Sequence, residues 1–150
     1  MPEIYRTGAV ESGDESGVVV MHCSDPRYQP HFQEFLGKGL GLRRYALIAV
    51  PGGAQLLTLV DYLPKFSWAG WRWMKFMVDL TRPERLILIA HDDCRWYLDA
   101  RFSHDPAGMR ARQIADLERV RRDLAERFGS RRVDLYYARL EDGRAAFESL

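Results

Sequence analysis

The chain has 150 residues, which suits one hydrophobic core and leaves little room for a second. Hydrophobic residues make up 47% and charged residues 29%, the balance of an ordinary globular domain. With 22 basic and 21 acidic side chains, the net charge of +1 gives no bulk attraction to nucleic acid or an anionic membrane, and no apolar run is long enough to span a bilayer.

Residues 1–17 carry Glu3, Glu11, Asp14 and Glu15 without an apolar stretch. They read as a loose arm, neither a signal nor a transit peptide, and the expected location is the cytoplasm. Residues 18–150 are expected to form the domain. Val18 to Met21 is a short apolar run ending at Cys23, which predicts a buried strand. A helix is expected from about His31 to Lys38, stopped by Gly39 and Gly41. Tyr45 to Val50 predicts a second buried strand, closed by Pro51, Gly52 and Gly53. Ser67 is a candidate N-cap for a helix to about Leu80. Leu86 to Ala90 predicts a third buried strand, ending at His91.

A long helix is expected over about Ala107 to Phe128, since Ile114, Leu117, Val120, Leu124 and Phe128 recur at spacings of three and four. Val133 to Ala138 reads as a fourth strand, and Asp142-Gly143 as a turn that could lead into a short antiparallel edge strand near Ala146 to Glu148. Strands that are apolar on both faces and alternate with helices call for an α/β fold. The expected sheet is parallel and four-stranded, in an order of about 2-1-3-4, with helices on both faces.

The two cysteines, Cys23 and Cys94, are too few for a disulfide framework, and in a reducing compartment metal binding or catalysis is the better question. Cys23 ends the first strand, and His91 and Cys94 follow the third. Ligands in doubly wound sheets bind outside those ends, where neighbouring connections part to opposite faces. If the two strands are neighbours, two thiolates and an imidazole converge, a donor set suited to zinc with a fourth position open. Asp25 and Arg27 follow Cys23 at a spacing of two, so in an extended segment they project to its side. The guanidinium can then hold the carboxylate by a forked hydrogen bond and keep it ionised.

The segment Cys23-Ser24-Asp25-Pro26-Arg27 resembles the C-x-D-x-R motif of the β-carbonic anhydrases, and His91-Asp92-Asp93-Cys94 resembles their H-x-x-C motif. The resemblance runs from about Val18 to the end of the chain. It implies Cys23, His91 and Cys94 as ligands of Zn2+, with Asp25 and Arg27 as a catalytic dyad. It implies reversible hydration of carbon dioxide to bicarbonate by attack of a zinc-bound hydroxide, and a homodimer or larger assembly. The chain departs from the family pattern in having Arg95 after the second cysteine where Gly is usual, and Pro26 inside the dyad where Ser is usual. Ala49-Val50-Pro51-Gly52 stands where Arg-Asn-Ala-Gly is usual. Two alternatives stand beside the first reading: a related zinc protein acting on another small substrate, and a zinc-binding module without turnover.

Other residues have plainer readings. His22 is expected to point away from Cys23, His31 to lie on a helix surface and His104 in an exposed loop. Asp92 and Asp93 are expected to cap the following turn, and Gly52-Gly53 to make a tight turn. Trp68, Trp71, Trp73 and Phe76 crowd one helix and read mostly as core, with part of the set available to a subunit interface. The arginines between Arg110 and Arg132 are interleaved with Asp116, Glu118, Asp123 and Glu126, the mark of a solvated, salt-bridged helix face.

Overall fold

A computed structural model of the chain describes residues 1–99 and 105–150; His104 lies outside them. Residues 1–17 contain no helix or strand. One five-stranded sheet follows, formed by β1 (Val18–Cys23), β2 (Ala46–Val50), β3 (Arg85–His91), β4 (Arg132–Glu141) and β5 (Arg144–Ser149). Its order is β2-β1-β3-β4-β5, with the first four strands parallel and β5 antiparallel to β4. The expected order of four is therefore present, and the hairpin at Asp142-Gly143 adds a full fifth strand.

Alternation along the central strands builds a core on each face. Val19, Met21, Leu86 and Leu88 pack with Trp71, Met74 and Val78 of α2 (Pro64–Thr81) and with Leu117, Val120 and Leu124 of α3 (Met109–Phe128). Val20, Ile87 and Ile89 pack on the other face with Phe32 of α1 (Gln29–Glu34) and with Leu36, in the π-helical turn Phe35–Gly39 that prolongs it. The helix between β1 and β2 thus lies on one face, while those between β2 and β3 and between β3 and β4 lie on the other. Right-handed crossovers require this when the chain leaves β1 towards one edge and β3 towards the other. The gap between β1 and β3 is the switch point, and the metal-site motifs sit at its carboxyl end.

Three local expectations are corrected. Helix α2 begins at Pro64 after Leu63, and Ser67 is buried inside its first turns, donating to the Leu57 carbonyl at 3.3 Å. Proline is preorganised for a first turn, which places the start ahead of the candidate cap. Of the aromatic cluster only Trp71 enters the core; Trp68, Trp73 and Phe76 are exposed. Strand β2 is an edge strand, so Leu47 and Ala49 are exposed where burial on both faces was expected. Among the described residues, no helix is long and apolar enough to cross a membrane.

Candidate metal centre

Parallel pairing of β1 with β3 sets His22 against Ile89, so both strands end at the same level. Cys23 is the last residue of β1 and His91 the last of β3, and a tight turn through Asp93, whose φ is +52°, brings Cys94 back beside them. One donor atom from each of the three lies within 4.8 Å of the others, and all three residues are buried. The two sulfurs are 3.8 Å apart.

The donor chemistry fits a divalent soft-to-borderline cation. His91 Nδ1 lies 2.8 Å from the Asp92 carbonyl, which can only accept, so Nδ1 carries the proton and Nε2 keeps a lone pair. That Nε2 is fully buried and has no hydrogen-bond partner among the described residues, a costly state for a polar atom unless something binds it. Two sulfurs this close cannot both ionise without a cation between them. A thiol on Cys94 donating to Cys23 lowers the Cys23 pKa and raises that of Cys94. The Gly52 amide also points at Cys23 Sγ, at 3.4 Å, and favours the thiolate.

Asp25 and Arg27 stand beside this group, but not in the extended segment that their spacing suggested: the chain turns at Pro26, and the Tyr28 and Gln29 amides donate to the Asp25 carbonyl. Arg27 donates from Nη2 to Asp25 Oδ2 at 2.6 Å, and from Nε and its main-chain amide to Oδ1 at 3.0 and 2.9 Å. These bonds hold the Asp25 carboxyl below the usual carboxylate range despite its burial. The guanidinium continues to Asp93, donating to its carboxylate at 2.6 Å and its carbonyl at 2.8 Å. Asp93 in turn meets Arg95 at 3.2 Å. Cys23, Asp25 and Arg27 line an open pocket of about 450 Å³ together with Pro26, Pro51, Arg95 and Trp96.

Several supporting contacts escaped the sequence reading. Gln113 on α3 is buried and grips the His91 main chain, accepting from its amide at 3.3 Å and donating to its carbonyl at 2.9 Å. Asp92 does not cap the turn: it receives the Tyr137 hydroxyl and the Leu140 amide, both at 2.8 Å, and so ties the loop between His91 and Cys94 to β4. Tyr97 donates to buried Asp116 at 2.7 Å. Gly52 has φ +75° and touches Trp96 so closely that a Cβ there would collide with the indole. A buried polar residue on an otherwise apolar helix face, as at Gln113 and Asp116, was the available signal for two of these. His22 is buried against Phe32, with Nδ1 2.8 Å from the Cys23 carbonyl, and takes no part in the donor group. His31 is exposed.

Comparison of the sequence with protein-family models and with curated proteins finds no match. Solved structures are similar in fold. A β-carbonic anhydrase isoform from the protozoan Trichomonas vaginalis superposes with a TM-score of 0.53 at 11% identity, over 95% of this chain and 87% of that one. A β-carbonic anhydrase of the fungal pathogen Aspergillus fumigatus gives 0.56 at 12% identity, over 92% and 76%. One of two tetrameric β-carbonic anhydrases from the ascomycete Sordaria macrospora gives 0.55 at 13% identity, over 93% and 82%. The chain therefore has the fold of the β-carbonic anhydrases and carries, at the switch point of its sheet, a Cys23-His91-Cys94 group able to hold a metal ion.

Proposed function

We propose that residues 18–150 form a zinc domain that hydrates carbon dioxide reversibly to bicarbonate, with Cys23, His91 and Cys94 as the metal ligands. The observation that carries this is the convergence of three buried donor atoms within 4.8 Å, one of them the otherwise unpartnered Nε2 of His91. Zinc held there would supply a Lewis acid able to make water nucleophilic near neutral pH. Asp25, kept ionised by Arg27, is the group that accepts a proton or orients a polar hydrogen in the pocket, and Arg27 holds it in place from two sides. Pro26, Pro51 and Trp96 give the pocket apolar walls that suit a small neutral substrate.

The test is a stopped-flow carbon dioxide hydration assay on zinc-loaded protein. Turnover that disappears in Asp25→Asn, with zinc retained, is the expected result; zinc-loaded wild type with no turnover contradicts it. Arg95 at the pocket mouth favours a second reading, a zinc enzyme for another small and more polar substrate. An inactive protein that gains carbon dioxide hydration as Arg95→Gly would select that reading.

The assembly we propose is a homodimer or larger. Phe66, Ala69, Trp73, Phe76 and Leu80 follow one another on α2 at steps of three and four, and four of the five are large, exposed apolar side chains. Helix α2 packs over β1 and β2, beside the unpaired β2 edge of the sheet. Apolar surface of this extent beside an open strand edge is what a second copy would cover.

A further inference from the structure

The opposite flank of α2 has a different character. Between it and the end of α3 lies a groove of about 630 Å³, floored by Trp71, Val78 and Phe128. Arg72, Lys75, Arg127 and Arg131 line it, against one carboxylate, Asp79, which Lys75 already pairs. Four cations in one groove stand out in a chain whose whole net charge is +1.

Two of these cations are held in place. Arg127 lies over the Trp71 ring, its guanidinium carbon 4.1 Å from the centroid. Arg131 donates to the Pro83 carbonyl at 2.9 Å and to the Phe128 carbonyl. Arg72 has neither ion pair nor hydrogen bond among the described residues. Beside it Trp68 is 71% exposed and meets no other ring among the described residues. The wall thus combines guanidinium forks, which match phosphate oxygens, with a bare indole face, on which a flat ring can stack. An apolar peptide would leave the cations without partners, and inorganic phosphate would leave the indole uncovered.

We propose that this groove binds a ligand joining a planar aromatic ring to a phosphate, of which a nucleoside monophosphate is the simplest case. The volume is that of a small-molecule site. The base would stack on Trp68, and the phosphate would meet Arg72 and the two anchored guanidinia. The groove opens beside the residues that lead into β4, at the amino end of the strands, and shares no lining residue with the metal pocket.

The experiment is calorimetric titration of the full zinc-loaded chain with AMP, adenosine and inorganic phosphate at low salt. Saturable AMP binding is expected, with adenosine and phosphate each weaker on the order of tenfold or more, since each lacks one half of the recognition. Trp68→Ala and Arg72→Ala, both exposed, are each expected to weaken AMP by about tenfold and to leave zinc content unchanged. Failure of AMP to saturate overturns the proposal. So does unchanged AMP affinity in both variants, or phosphate binding as tightly as AMP.

Discussion

Arg27 donates to Asp25 through three nitrogens and to Asp93 through two bonds, and the direction of the resulting pKa shift sets a pH dependence. The folded Asp25 carboxyl titrates below its unfolded value, so the stability this pair contributes is complete above about pH 4 and is lost as pH falls through the folded value. Wild type and Arg27→Ala should therefore differ most in urea midpoint near neutral pH, with the gap closing in acid; a gap independent of pH contradicts this. Gln113 makes a second prediction. Gln113→Leu leaves the buried His91 amide and carbonyl without that partner, at a cost of about 1–3 kcal/mol. Loss of such an outer support is expected to weaken zinc affinity by about 10- to 100-fold, measured by competition with a chelator. The donor set was legible in the sequence because chemistry narrows it: two cysteines, and a histidine at a strand end. Gln113, Asp92 and Trp96 were not, because their partners come from other elements and no local spacing records the meeting.

At the scale of elements, buried strands were the clearest signal. Val18–Cys23 and Arg85–His91 are apolar on both faces, and only a central position in a sheet covered twice satisfies that pattern. The similar run at β2 misled, since Ala46–Val50 is as apolar but lies at the edge; composition reports hydrophobicity and not which neighbour covers it. Helix α2 shows the same limit. Proline at the first turn sets the start at Pro64, and the Ser67 hydroxyl, instead of capping, donates to the Leu57 carbonyl. The turn after β2 depends on glycine at a position that could be named but not explained beforehand. Gly52→Ala meets both a left-handed backbone and the Trp96 ring, and is expected to lower stability by about 1–3 kcal/mol. Thermal unfolding measures it, and Trp96→Ala in the same chain should recover the part due to the collision.

Across the whole molecule, the sheet places the Cys23-His91-Cys94 donor group at its carboxyl end, a basic aromatic groove near its amino end, and an apolar flank along the β2 edge. The flank predicts association. Trp73→Glu with Phe76→Lys should shift sedimentation from dimer or larger to monomer without loss of helix signal, and wild type that is monomeric at micromolar concentration contradicts it. The fold resemblance to tetrameric enzymes concerns backbone alone, so assembly and turnover rest on this chain's own side chains. The proposed function depends on one ion being held by two sulfurs and one nitrogen. X-ray absorption at the zinc edge, on protein of measured metal content, tests this directly. One zinc per chain is expected, with two sulfur neighbours at about 2.3 Å and nitrogen or oxygen completing the shell. A wild-type chain that takes up no zinc, or holds it without sulfur, would contradict it.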